Sequence, residues 1–245
     1  MEIQSFTISN ELLNEIHHQA AQVVDQLYDS VKIEQMSQVI CKFYQKLNEN
    51  LTVNSFSNLT DNVVNQLIRY IETRLLGPMY NSIHDQIVNE NEQQDLSLET
   101  HISSLNRIKL IDLQLKVDLD NPEIGDLLEK SISHLIEMGS KKSPLQKLDS
   151  IVNCSKTIIR MLQIDSTNHI SADELLPALI YVIIKANPAT IKSDIKFIEQ
   201  FSYSNHLMSG ESGYYFTNLC CALIFIENLD GQSLNLPGKK FLPNN

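Results

Sequence analysis

SADELLPALIYVIIKANPATIKSDIKFIEQFSYSNHLMSGESGYYFTNLCCALIFIENLD, residues 171–230, decides how this chain folds. Leu175 to Ile184 is an unbroken apolar run apart from Pro177 near its start and Tyr181 inside it. Ser171-Ala-Asp-Glu174, just ahead, has the S-x-x-E spacing of a capping box, in which serine and glutamate satisfy backbone N–H groups at a helix start. A helix to about Ala186 follows. Because it is apolar all round, it is predicted to be central and buried on most faces. Asn187-Pro188 predicts the cap and first turn of a second helix, ending near Phe201. Residues 202–211 read as a loop, and a last helix covers about Ser212 to Asn228. Two polar features interrupt this apolar stretch: Asp173 immediately before the first run, and the polar-aromatic cluster Gly210 to Leu219 that opens the last helix. No nucleophile–base pair, metal-ligand set or phosphate loop accompanies them. A large apolar surface with a few placed polar groups points to protein recognition rather than covalent chemistry.

The chain before this segment also reads as helical. Leu13, Ile16, Ala20, Val23, Val24, Leu27 and Val31 recur at three- and four-residue steps, and Ile33, Met36, Val39, Ile40, Phe43 and Leu47 continue the pattern. Asn48 to Asp61 is rich in Ser, Asn and Thr and reads as a loop. Residues 62–88 resume the helical period, with an interruption expected at Gly77-Pro78. Residues 89–95 (NENEQQD) read as a polar break. A helix over 96–115 then carries Leu105, Ile108, Ile111 and Leu115 on one face. Asn121 is predicted to cap a helix whose first turn holds Pro122, ending at Gly139. Ser143-Pro144 opens another helix, to about Leu162. The tail from Asp230, with Gly231, Pro237, Gly238 and Pro243, is expected to end disordered. No alternating strand pattern appears, so the fold class is all-α with about ten helices.

Composition agrees. Gly 7 and Pro 7 in 245 residues are few for a sheet with many tight turns. A formal net charge of −11 argues against nucleic-acid binding, which needs clustered Lys and Arg. Cys41, Cys154, Cys220 and Cys221 form no C-x-x-C or His/Cys metal spacing. With no signal peptide at the N-terminus, a reducing cytosol is the expected compartment. The longest apolar run is too short to span a bilayer, so membrane association is expected to be indirect.

Few residues suggest chemistry of their own. His17 and His18 are adjacent and face different sides of a helix, which does not make a metal site. Lys141-Lys142, beside Lys147, reads as a solvated turn. Ser212 in Gly-Glu-Ser-Gly lacks the G-x-S-x-G spacing and the preceding strand of a nucleophile elbow, so a hydrolase reading is rejected. Asp173 has two readings. A carboxylate in a first helical turn complements the helix dipole by about 0.3–1 kcal/mol. Glu174 already fills the capping-box role, however, which leaves Asp173 able to project from the helix end. Tyr214 and Thr217 lie on roughly one helix face, with Phe216 and Cys220 turned inward. Tyr214, Tyr215 and Phe216 also fit as ordinary core aromatics.

In this order, these segments resemble the VPS-nine (vacuolar protein sorting nine) domain family, in particular its Rabex type. The carrying stretches are Ser171–Pro177, Leu179–Val182, Lys185–Pro188, Leu207–Ala222 and Phe225–Glu227, with Ile136–Met138, Pro144, Lys147-Leu148 and Cys154–Lys156 upstream. The resemblance covers about 120–235 and, at lower similarity, a helical bundle over 60–119, and it does not extend to the first 50 residues. The expected organisation is an N-terminal helical region or bundle over residues 1–119 packed on an α-helical exchange domain over 120–236, with a tail over 237–245. The resemblance implies guanine-nucleotide exchange on a Rab GTPase of the early-endosomal, Rab-five-like class. Asp173 would be an acidic finger opposing Mg²⁺ and the β-phosphate and pairing with the P-loop lysine, with Tyr214 as its companion. Pro177, Thr217, Leu176 and Ile180 would line the apolar groove that grips the GTPase switches. No cofactor and no metal are implied. The expected location is cytoplasmic, with recruitment to early endosomes. The chain lacks the cysteine-rich zinc finger of such proteins and ends soon after Leu236, which suggests an isolated core, a fragment or a minimal paralogue. The alternative reading is a non-catalytic Rab-binding module or scaffold in endosomal trafficking.

Overall fold

The computed structural model describes residues 10–29, 32–53, 61–164 and 172–229, with side chains at a few helix ends, Asp173 among them, outside the description. The described residues form ten α-helices and one 3-10 turn, with no strand. They are α1 (Asn10–Asp29), α2 (Ile33–Val53), α3 (Asp61–Leu75), α4 (Tyr80–Ser104), the 3-10 turn Leu110–Leu113, α5 (Pro122–Ser140), α6 (Pro144–Ile164), α7 (Ala172–Ala186), α8 (Ile191–Phe201), α9 (Ser204–Met208) and α10 (Gly210–Glu227). The expected cap at Ser171, residues 54–60 of the expected Asn48–Asp61 loop and the tail from Asp230 lie outside the described residues, while residues 48–53 of that loop continue α2.

The chain divides into two compact units. The first comprises Met1–Glu92, Ser140–Asp149 and Lys192–Gly213. Its core follows the helical period: Ile16, Ala20, Val23 and Leu27 of α1 face inward, with Ile40, Phe43 and Leu47 of α2 and Leu67, Ile71 and Leu75 of α3. Phe197 and Phe201 of α8 join the same cluster. The interruption expected at Gly77-Pro78 is the turn that ends α3 and precedes α4.

Two buried ionic groups in this unit were not legible from the period. Lys147, which follows the Lys141-Lys142 pair read as a solvated turn, is 0% exposed. Its Nζ donates to Asp194 Oδ1 at 2.8 Å, and the same oxygen meets His84 Nε2 at 3.1 Å. The ammonium also lies over the Tyr80 and Phe197 rings, 5.5 and 5.9 Å from their centroids. Glu72 of α3 is fully buried, and its Oε2 accepts the Leu145 N–H at 2.9 Å in the first turn of α6. That bond satisfies one of the N–H groups a helix start leaves open.

Burial pushes the Glu72 carboxyl up to about 7, against the opposing Leu145 and Ser143 hydrogen bonds. The folded state therefore holds this proton where the unfolded chain, titrating near 4.5, has lost it. The resulting stability is fully present below pH 4.5 and is lost as pH rises through about 7. Urea unfolding across pH 4.5–8 is expected to show this loss, about 3 kcal/mol from the shift alone. Glu72→Gln should flatten the profile. A wild-type profile flat over that range would contradict the assignment.

The second unit comprises Gln93–Gly139, Ser150–Ile191 and Tyr214–Asn245. Its α7 is buried almost throughout from Ala178 to Ile184, as an all-round apolar helix requires. The 3-10 turn packs against α7. Lys185, in the last turn of α7, donates to the Asn106 carbonyl at 2.6 Å, and Asn187 Nδ2 donates to Ser103 Oγ at 2.9 Å. Asn121 caps α5 as expected: its Oδ1 accepts the Glu123 N–H at 3.0 Å.

Several boundaries differ from expectation, each for a physical reason. Residues 89–95 do not break α4. Asn91 and Asp95 are buried at four-residue steps between Ile87 and Leu98, and Asn91 Nδ2 donates to the Ile87 carbonyl at 2.6 Å. Polar residues on the inner stripe hid the period. The helix expected over 96–115 instead ends at Ser104. Beyond it, Leu105, Ile108, Leu110, Leu113 and Leu115 anchor an irregular segment, while Ile111 points outward. Gln114 closes the 3-10 turn in the left-handed region, at φ 61°. Asn187 does not cap α8. It adopts φ 41°, and its N–H bonds the Ile183 carbonyl at 2.9 Å, so it closes α7. The residue before a proline is disfavoured in the right-handed helical region, and α8 starts only at Ile191. Within 202–211, Ser204–Met208 is a short helix and α10 begins at Gly210.

Candidate functional site

Both helices that carry the expected site residues, α7 and the part of α10 from Tyr214 onward, belong to the second unit. Asp173 is the second residue of α7. The unsatisfied N–H groups and dipole of a helix start favour an anionic side chain there. Pro177 lies inside the helix, four residues on. It has no N–H, so the Asp173 carbonyl cannot receive the usual i→i−4 bond, and the first turn is held less tightly than an ordinary one. Leu176 and Pro177 are half-buried and Glu174 is exposed. From Ala178 to Ile184 the helix is enclosed, so the open surface beside Asp173 is confined to its first turns. Ile180, expected to line the groove, is only 3% exposed, so it is a buried residue.

α10 presents the second part. Tyr214 is 49% exposed, and Thr217, one turn later, is also exposed. Tyr215, Phe216, Leu219, Ala222, Leu223 and Ile226 are buried on the opposite side, while Cys220 is half-buried. The Tyr214 ring packs edge-on against Tyr215, with centroids 5.2 Å apart. Asn218 Nδ2 donates to the Tyr214 carbonyl at 2.8 Å. Tyr214 is thus a solvent-facing phenol on a rigid, buried helix.

The residue before it is under a steric constraint. A Cβ built on Gly213 would lie 2.5 Å from the Leu207 carbonyl oxygen and 2.9 Å from its carbon. The obstacle is backbone, so a side chain here must push α9 and the first turn of α10 apart. Gly210, where α10 begins, has φ 73°, a conformation that favours glycine. The sequence Gly-Glu-Ser-Gly therefore sets how α10 starts, and neither glycine serves a nucleophile. Gly213→Ala is expected to lower stability by about 1–3 kcal/mol, as overpacking does. Thermal melting checks this, and an unchanged melting temperature would contradict the contact.

Among the described residues, no group of three or more His, Cys, Asp or Glu could hold a metal ion. A shallow groove lined by Gln93, Gln94, Ser97, Leu98, His101 and Glu227 contains none of the expected site residues. The arrangement can therefore bind a protein surface through half-open apolar side chains, with one acid at a helix start and one exposed phenol.

Residues 128–231 match the family described as Vacuolar sorting protein 9 (VPS9) domain, and residues 11–80 match a Domain of unknown function (DUF5601). The chain is 38% identical over 213 residues to a Rab5 GDP/GTP exchange factor of Bos taurus, a match covering 86% of this chain and 42% of the relative. The Homo sapiens protein of the same name is also 38% identical over 213 residues, covering 86% and 43%. Vacuolar protein sorting-associated protein 9A of Oryza sativa subsp. japonica is 32% identical over 180 residues, covering 71% and 36%. The chain spans less than half the length of these relatives.

Proposed function

The chain belongs to the VPS9-domain family, and on that premise we propose that it is a guanine-nucleotide exchange factor for a Rab GTPase of the early-endosomal, Rab5-like class. The observation that carries this reading is the exposed, uncharged face of α10 at Tyr214 and Thr217, in the same unit as the open first turns of α7. Relatives named as Rab5 exchange factors are similar over most of this chain.

A GTPase holds its nucleotide largely through Mg²⁺ and cradled phosphates. The apolar surface of α7 and α10 would grip the switch regions and exclude water. Asp173 would then enter the nucleotide site as a carboxylate, repel the β-phosphate and compete for the P-loop lysine. Charges placed in such a water-poor interface interact far more strongly than in bulk water. Binding energy from Leu176, Pro177 and Thr217 offsets the cost of placing that charge. Tyr214 would hydrogen-bond switch backbone beside the acid. No bond is made or broken. The nucleotide-free complex is stabilised, and GTP refills it. In this reading residues 120–236 are the exchange domain, residues 1–119 its helical support and 237–245 a tail. The protein would work at early endosomes, reached through its partners. Among the described residues no single helix is long and apolar enough to cross a membrane.

Linkage supplies the test. A protein that weakens nucleotide binding must itself be weakened equally by nucleotide. Binding to nucleotide-free GTPase is expected to be at least about a hundredfold tighter than binding to the GDP-loaded form, which corresponds to about 2.7 kcal/mol of coupling. Equal affinity for both forms would replace exchange by simple recruitment.

A further inference from the structure

The face of α10 that carries Tyr214 and Thr217 continues beyond them. At three- and four-residue steps the next positions are Cys221 and Ile224, and both are exposed, Ile224 to 58%. The four positions form one stripe about 15 Å long at the α-helical rise. None of the four is charged. An outer face that met only water would carry Lys, Glu or Gln at such positions. The opposite face already packs the helix into the unit, so folding does not require an apolar outer face. The neighbouring amides are folded back as well: Asn218 Nδ2 donates to the Tyr214 carbonyl at 2.8 Å, and Asn228 Nδ2 to the Ile224 carbonyl at 2.7 Å. These two amides beside the stripe are thus tied to the helix backbone.

We infer that Ile224 is an affinity anchor for the GTPase, seated against an apolar patch of the same surface that meets Tyr214 and Thr217. The inference rests on the exchange reading. A stable protein interface buries roughly 800 Å² on each partner, more than a single helical turn can supply. A partner laid on Tyr214 and Thr217 reaches Ile224 along the same helix. Because Ile224 brings no charge, it contributes binding and not displacement of the nucleotide. Its loss should fall on KM and leave kcat nearly unchanged.

The test is the rate of GDP release from an early-endosomal Rab over a range of GTPase concentrations. Ile224→Glu is expected to lower kcat/KM by about thirtyfold, the scale of a buried anchor met by an unpaired charge, with kcat within about twofold. Ile224→Leu should retain wild-type values. Ile136→Glu, at an exposed isoleucine of α5, should also retain them. Ile224 is exposed, so melting temperatures should be unchanged. If wild type accelerates release and Ile224→Glu does so equally well, the inference fails and the exchange reading stands. That result together with a drop from dimer to monomer on sizing would assign the stripe to a second copy. An equal loss in Ile136→Glu would show a general charge effect and also overturn it. Wild type that accelerates nothing overturns both.

Discussion

Asp173→Ala is expected to lose nearly all acceleration of GDP release while still binding nucleotide-free GTPase. The expected fall in kcat/KM is at least about a hundredfold, the scale seen when one preorganised electrostatic group is removed from a water-poor site. Asp173→Asn should fare little better. It keeps the shape and a hydrogen-bonding group but loses the charge that repels phosphate and attracts the lysine. The fold should tolerate both changes. Removing an acid from a helix start costs about 0.3–1 kcal/mol, and most of the helix core lies further on, from Ala178 to Ile184. The two variants therefore separate electrostatic displacement from simple wedging. An asparagine variant with full activity would show that bulk, and not charge, opens the site.

Asp194→Ala is expected to cause the largest loss of stability, about 3–5 kcal/mol. Lys147 is 0% exposed and Asp194 1%, so the pair has exchanged its water for a 2.8 Å contact, two aromatic faces and His84. Burial pulls the Lys147 ammonium below the usual lysine range, and Asp194 is what opposes that pull. Without the carboxylate, lysine must give up its proton or stay charged in an apolar core. A domain with ordinary stability of about 5–15 kcal/mol would lose a large part of it. The double variant Lys147→Met/Asp194→Leu should recover most of the loss, because replacing a whole buried pair with apolar groups is often neutral or stabilising. Urea unfolding of the single and double variants measures both terms. A single variant within about 1 kcal/mol of wild type would mean the pair is solvated, contrary to its burial.

Helices α1 to α3 could be read from the sequence because their apolar residues alone keep the period. Ile16, Ala20, Val23 and Leu27 needed no partner to reveal a face. The period failed where polar residues occupy inner positions. Asn91 and Asp95 hid the continuity of α4, and Lys147 looked like surface because its partner Asp194 is 47 residues away. The 3-10 turn was missed because its leucines anchor an irregular path that no single period describes. Asn187 showed the converse error. Asn-Pro suits a helix start in sequence, yet asparagine also tolerates the left-handed conformation that ends one, and only the φ of 41° distinguishes them. In the site, helical spacing placed Tyr214 and Thr217 on one face and Phe216 inward, but it left Tyr214 open as a core aromatic, and Cys220, also expected inward, is half-buried. The constraint at Gly213 did not follow from spacing, since it depends on where the Leu207 carbonyl comes to rest. The resemblance supplied the roles of Asp173 and Tyr214, which composition and spacing alone left open.

As an exchange factor, this chain would empty a GTPase of its nucleotide by presenting one carboxylate on an apolar surface. The most direct measurement is stopped-flow release of a fluorescent GDP analogue from an early-endosomal Rab, in excess unlabelled GTP, with rising concentrations of wild type and of Asp173→Ala. The release rate should climb with wild type and stay near the intrinsic rate with the variant. Equal rates with both proteins, or no acceleration by wild type at any concentration, would contradict this mechanism.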